Sequence, residues 1–113
     1  MLFRSTFEQD RSDHEVVLDR LTDLVDAVMG RAIGLGVSGR LGEVKIRYTG
    51  FETHSAGRSI PVAMDDPSVF KRLAQHLFAT NVDSDRNIRL IGFRLGHLEV
   101  PPSRQTTLHV EEE

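Results

Sequence analysis

The chain has 113 residues, no cysteine and a formal charge of −3. That length suits one domain with one core, in the common range of roughly 100–150 residues, and the lack of cysteine excludes disulfides and thiolate metal sites. No apolar run approaches the ~20 residues of a spanning helix, and Met1-Leu2-Phe3-Arg4 does not begin like a secretory signal, so a cytoplasmic protein without a membrane partner is expected. The charge is unevenly spread. Seven acids and two bases fall between Glu8 and Asp26, four bases and two acids between Arg40 and Ile60, and three arginines with no acid between Arg86 and Arg94. The field over one face, rather than the total, decides whether a polyanion can bind.

In chain order, Leu2–Phe7 reads as a first strand. Ser12-Asp13-His14-Glu15 has the form of a capping box with Ser12 as N-cap. Val17, Leu21, Leu24, Val25 and Val28 then recur at helical spacing, with Asp19, Asp23 and Asp26 on other faces. This amphipathic helix is expected to run out near Gly30–Gly36. A turn at Ser38-Gly39-Arg40 leads to Val44-Lys45-Ile46-Arg47-Tyr48, which alternates strictly. Val44, Ile46 and Tyr48 point one way, and Lys45 and Arg47 form a basic wet face.

Gly50 turns the chain into a strand from Thr53 to Ile60, ending at Pro61. Its small, polar composition suits close approach by something outside the fold. Asp66-Pro67 starts a second helix, aspartate as N-cap and proline at N1, with Phe70, Leu73, Ala74 and Leu77 as its buried stripe. Asn81–Asn87 reads as a loop and Ile88–Leu95 as the last strand, with a bulge at Gly92 where the alternation slips. From Pro101 onward the chain reads as a flexible tail.

The order βαββαβ predicts an α+β fold in a split βαβ arrangement: a four-stranded sheet with two helices packed on one face and the other face open. Residues 1–100 form this domain, and residues 101–113 the tail.

Three segments carry a resemblance to a known family. Arg4-Ser5-Thr6-Phe7 followed by Asp10 resembles an entry strand. Val44–Tyr48 with Phe51 and Thr53 is similar to "LKxRYxxFxT", and Ser55-Ala56-Gly57-Arg58-Ser59-Ile60-Pro61 to "SRGRTFP" or "TRSRTLP". Ile88–Leu95 is close to "RxRLLGVRxS". Together, over about Phe3 to Leu98, they resemble the little-finger domain of Y-family translesion DNA polymerases of the polymerase IV type.

The resemblance implies sequence-independent binding of primer–template DNA through phosphate contacts, in translesion synthesis and repair. By residue, it implies Lys45 and Arg47 from the second strand, Thr53, Ser55 and Arg58 from the third, Arg89 or Arg94 from the last, and Arg4 or Ser5 from the first. Gly57 is implied to let backbone approach phosphate closely. The family usually carries a base where this chain has Ala56, a change expected to weaken binding and its salt dependence. In the tail, Gln105 and Leu108 fit the family's sliding-clamp peptide "QLxLF", whose second-position leucine and final phenylalanine are absent. The chain is expected to be a monomeric fragment of a longer protein, beginning where the family's tether ends.

No palm carboxylates or nucleotide site are present, so this chain alone is expected not to be an enzyme and to need no cofactor. The resembled parent is a DNA-directed DNA polymerase using magnesium. The helix aspartates and the five histidines (His14, His54, His76, His97 and His109) read as surface or capping groups. Gly34–Gly39 follows a helix rather than a strand, against a phosphate loop. Tyr48 is expected to pack under the helices rather than stack on bases. A second reading is a ferredoxin-like interaction or small-ligand module that dimerises through its open sheet face.

Overall fold

The computed structural model describes residues 1–11, 13–50 and 52–100, and the side chains of that set apart from residues 7–11. Four strands, β1 (Leu2–Arg11), β2 (Gly39–Tyr48), β3 (Thr53–Met64) and β4 (Ile88–Gly96), form one sheet, interleaved with α1 (His14–Leu35) and α2 (Pro67–Asn81). The strand order is β1-β4-β2-β3, with every neighbouring pair antiparallel. Two split βαβ units therefore interlock: β4 lies between β1 and β2, and β2 lies between β3 and β4. The expected α+β architecture is the one observed.

Both helices lie on one side of the sheet, α1 against β1 and β4, α2 against β2 and β3. The apolar stripe of α1 (Val17, Leu21, Val25, Val28, Met29, Ala32) and that of α2 (Phe70, Ala74, Leu77, Phe78) are buried. They meet Val44, Ile46 and Tyr48 of β2 and Ile91, Phe93 and Leu95 of β4 in one core. Phe70 and Phe93 pack edge to face with ring centroids 6.4 Å apart, a preferred arrangement for such pairs. Tyr48 packs under the helices as expected, and its hydroxyl accepts from the Asp83 amide at 2.8 Å. The Arg86 guanidinium covers the Tyr48 ring at 4.4 Å and pairs with Glu52. Those contacts tie the loop after α2 to the end of β2.

Local signals hold well, including the end of α1 at Gly36. However, β1 runs on to Arg11 rather than Phe7, β2 already begins at Gly39 where a turn was expected, and three further expectations shift. The N-cap of α1 is Asp13 rather than Ser12, because the Asp13 carboxylate accepts the Glu15 amide at 3.0 Å and helical geometry starts at His14. The helix continues through Gly30 and Gly34 and stops at Gly36. Gly36 has φ 68°, and the Gly36 and Val37 amides donate back to the Ile33 and Ala32 carbonyls, the paired hydrogen bonds of a glycine-terminated helix. Strand β3 does not end at Pro61. It is an edge strand, and its register with β2 shifts between the Gly39–Met64 and Leu41–Ser59 pairs, so Pro61 sits where no ladder N–H is required.

The expected bulge at Gly92 is absent. Gly92 pairs regularly with Arg4 and Lys45, and the shift in β4 lies at Arg89, between the Arg47–Leu90 and Tyr48–Ile88 pairs. The alternation breaks because the extra residue is Arg89, which lets Ile88 and Ile91 both join the core while Leu90 and Gly92 stay on the open side. The second helix starts as expected: the Asp66 carboxylate accepts from Ser68 at 2.9 Å, and Pro67 opens the helix.

Candidate nucleic-acid interface

Antiparallel register puts directly opposed residues on the same face, so the pairings lay out the side of the sheet away from the helices as a grid. One row across β1, β4, β2 and β3 is Thr6, Leu90, Arg47 and Thr53. The next is Arg4, Gly92, Lys45 and Ser55, and a third is Leu2, Arg94, Glu43 and Gly57. Each column steps by two residues, as a pleated strand must.

The first two rows are basic and hydroxyl-rich. Arg47 Nε donates to Thr53 Oγ1 at 3.3 Å. Among the described residues, neither Arg4 nor Lys45 pairs with a carboxylate. Gly92 lies between them. A Cβ there would meet Arg4 Cβ at 3.3 Å and Lys45 Cβ at 3.6 Å. The glycine thus leaves a shallow seat flanked by two cationic side chains from β1 and β2. Leu90, in register between Thr6 and Arg47, is only 5% exposed, so the apolar groups of the first row do not form an oily patch.

The third row differs. Arg94 Nε lies 3.2 Å from Glu43 Oε1, with both side chains partly exposed. A pair this wet contributes about 0–1 kcal/mol to stability, but it neutralises its row. Acid is concentrated on the other side of the molecule, where Glu15, Asp19, Asp23 and Asp26 are exposed on α1 and Asp26 meets Lys71 at 2.8 Å. A chain of net negative charge can therefore carry a positive strip on the described part of its open face, in part because α1 holds its acids behind the sheet.

Of the residues expected from sequence, the structure brings Arg4, Lys45, Arg47, Thr53, Ser55, Gly57 and Arg94 onto this face. Three others lie elsewhere. Ser5 points to the helix side, where Arg20 donates to its hydroxyl. Arg58 is opposite Gly42, also on the helix side, in a groove with Ile60, Val69, Arg72, Leu73 and His76. Arg89 is half-buried at the register shift.

Ala56 pairs with Val44 and packs against the core, so a base there would leave toward the helix side rather than the strip. A Cβ at Gly57 would make only ordinary contacts, the nearest at 3.5 Å, so nothing inside the fold requires glycine there. Gln105, Leu108 and Phe51 lie outside the described residues. The sequence reading missed Thr6, the Gly92 seat and Glu43. Two-residue parity from Arg4 pointed to Thr6, whereas the other two needed the pairing across strands.

Among the described residues, no three His, Asp or Glu side chains gather as a metal site, and no helix is long and apolar enough to cross a membrane. The donor set of the open face is made of cations and hydroxyls, which suits an anion held at the surface.

The sequence matches the impB/mucB/samB family C-terminal domain over residues 2–108. It is 35% identical over 104 residues to DNA polymerase IV of Methanoculleus marisnigri, covering 92% of this chain and 29% of that protein. Against DNA polymerase IV of Treponema denticola it is 34% identical over 108 residues, covering 95% of this chain and 27% of that protein. The chain thus spans under a third of these relatives. Among solved structures, the fold is shared with an insertion ternary complex of Dbh DNA polymerase (TM-score 0.68, 17% identity, 88% of this chain and 28% of that one). It is also shared with a complex of β-clamp processivity factor and the little finger domain of PolIV (TM-score 0.59, 16% identity, 88% and 89%). The chain belongs to the impB/mucB/samB C-terminal domain family, as a little-finger domain of the DNA polymerase IV type.

Proposed function

We propose that the open sheet face binds primer–template DNA without regard to sequence, as the DNA-gripping domain of a Y-family polymerase acting in translesion synthesis and repair. The observation that carries this reading is the two-row strip of Arg4, Lys45 and Arg47 with Thr6, Thr53 and Ser55, on the side of the sheet that the helices leave uncovered.

A phosphate over Gly92 is within reach of Arg4 and Lys45, which stand two strands apart, about 9.6 Å at the usual spacing. A second phosphate is within reach of Arg47, with Thr53 already beside it. Hydroxyls and point charges of this kind position a backbone and read no base edges. That suits a domain whose parent must pass altered template.

The parent is then a DNA-directed DNA polymerase whose magnesium and nucleotide sites lie outside this chain, acting in the cytoplasm. The tail, through Gln105 and Leu108, adds a partial anchor for the sliding clamp. One relative by fold was solved with such a clamp.

Fluorescence anisotropy of the 113-residue chain with labelled primer–template DNA tests the reading. Binding is expected at low salt, independent of sequence, with log K falling against log salt by about 0.9 for each phosphate neutralised. Lys45→Ala and Arg47→Ala should each weaken it and flatten that slope by about one. Absence of binding at low salt, together with a stable dimer in sedimentation, would overturn the proposal in favour of an interaction module.

A further inference from the structure

The grid contains one acidic side chain in an otherwise basic field, and its position is specific. Glu43 stands next to Lys45 on the same face of β2, opposite Arg94 on β4 and opposite Gly57 on β3. Gly57 offers it no partner. Across β4 it holds Arg94 at 3.2 Å. Any phosphate reaching Arg94 therefore also meets the Glu43 carboxylate, because directly opposed side chains root only ~5 Å apart.

We propose that Glu43 limits the DNA grip. Its carboxylate ties Arg94 down and repels phosphate from the third row, so the binding strip ends at the row of Arg4 and Lys45. This rests on the DNA-binding reading above and sharpens it: Glu43 is an affinity-limiting residue whose contribution is repulsive. The consequence is a domain that holds a duplex through few phosphates and releases it readily. Arg94, although a base on the correct face, is silent while Glu43 is charged.

The experiment is the same anisotropy titration applied to Glu43→Gln, Arg94→Ala and the double variant, with Lys45→Ala as control. Glutamine keeps the shape of Glu43 and a hydrogen-bond acceptor for Arg94, so the strand pair survives; circular dichroism checks this, and Glu43→Ala serves as a second variant.

Glu43→Gln should raise affinity by roughly two- to tenfold at low salt and steepen the salt slope by about one unit, as one more cation becomes available. Arg94→Ala alone should leave the salt slope unchanged, since an Arg94 held by Glu43 binds no phosphate, whereas in the Glu43→Gln background it should remove the added unit of slope. Two results overturn the proposal: Glu43→Gln and Glu43→Ala leaving affinity and slope unchanged, or Arg94→Ala flattening the salt slope of the wild-type chain as much as Lys45→Ala does. If the wild-type chain binds no DNA, both this inference and the reading beneath it fail. If it binds in a Lys45-dependent way that Glu43 does not affect, only this inference fails.

Discussion

The two faces of the sheet are built from the same strands by opposite rules. On the covered face, β2 and β4 present Val44, Ile46, Tyr48, Ile91, Phe93 and Leu95, all buried against α1 and α2. On the open face, the alternate residues are Glu43, Lys45, Arg47, Leu90, Gly92 and Arg94, with the hydroxyls of Thr6, Thr53 and Ser55 at the edges. The covered face supplies stability through apolar burial, worth about 25 cal/mol per Å². The open face adds little to stability and is free to carry charge. Its polar groups stay accessible, and no charged side chain is buried among the described residues. A change that crosses from one face to the other in its effects would therefore break this division.

The largest effect on stability is expected from the covered face. Phe93→Ala should cost about 3–5 kcal/mol, read as a lower urea midpoint, because it empties a fully buried ring site against Phe70. A next step down is Gly39→Ala. Its Cβ would fall 2.6 Å from Leu95 Cδ1 and 3.0 Å from the Gly96 carbonyl oxygen, so a loss of about 1–3 kcal/mol from overpacking is expected in the same measurement.

Ser5→Ala and Thr6→Ala probe adjacent residues that point to opposite faces. Loss of the Arg20 hydrogen bond should cost Ser5→Ala about 0.5–1.5 kcal/mol and leave DNA affinity unchanged. Thr6→Ala should reverse that pattern, with stability held and affinity slightly reduced. The smallest stability effects, within about 0.5 kcal/mol, belong to Lys45→Ala and Arg47→Ala, even though these two should weaken DNA binding most. Equal losses of stability and affinity across all these variants would show that the faces are not separable.

Much of the fold was legible in the sequence because it rests on neighbours in the chain. The Asp66-Pro67 start of α2, the glycine-terminated end of α1 and the alternation of Val44–Tyr48 each depend on side chains within a few residues of the backbone they control. The site was half legible for the same reason. Lys45 and Arg47 share a face by parity alone, as do Thr53, Ser55 and Gly57. Parity also carried a warning that a resemblance by motif passes over: Ser5 is adjacent to Arg4, and Arg58 to Gly57, so neither can join its neighbour on the same face of a regular strand.

By itself, then, the sequence determined the six elements, their order, the apolar stripes and the basic parity of β2, since these follow from local hydrogen bonding and from two- and 3.6-residue periods. The βαββαβ order already suggested a split βαβ arrangement; tertiary structure alone decided the register in which β4 lies between β1 and β2. From that one choice come the Gly92 seat between Arg4 and Lys45, the pairing of Glu43 with Arg94, and the register shift at Arg89 in place of Gly92. These depend on which distant strands become neighbours, and that is set by how two helices bury their stripes on one sheet, a balance no short stretch of chain contains.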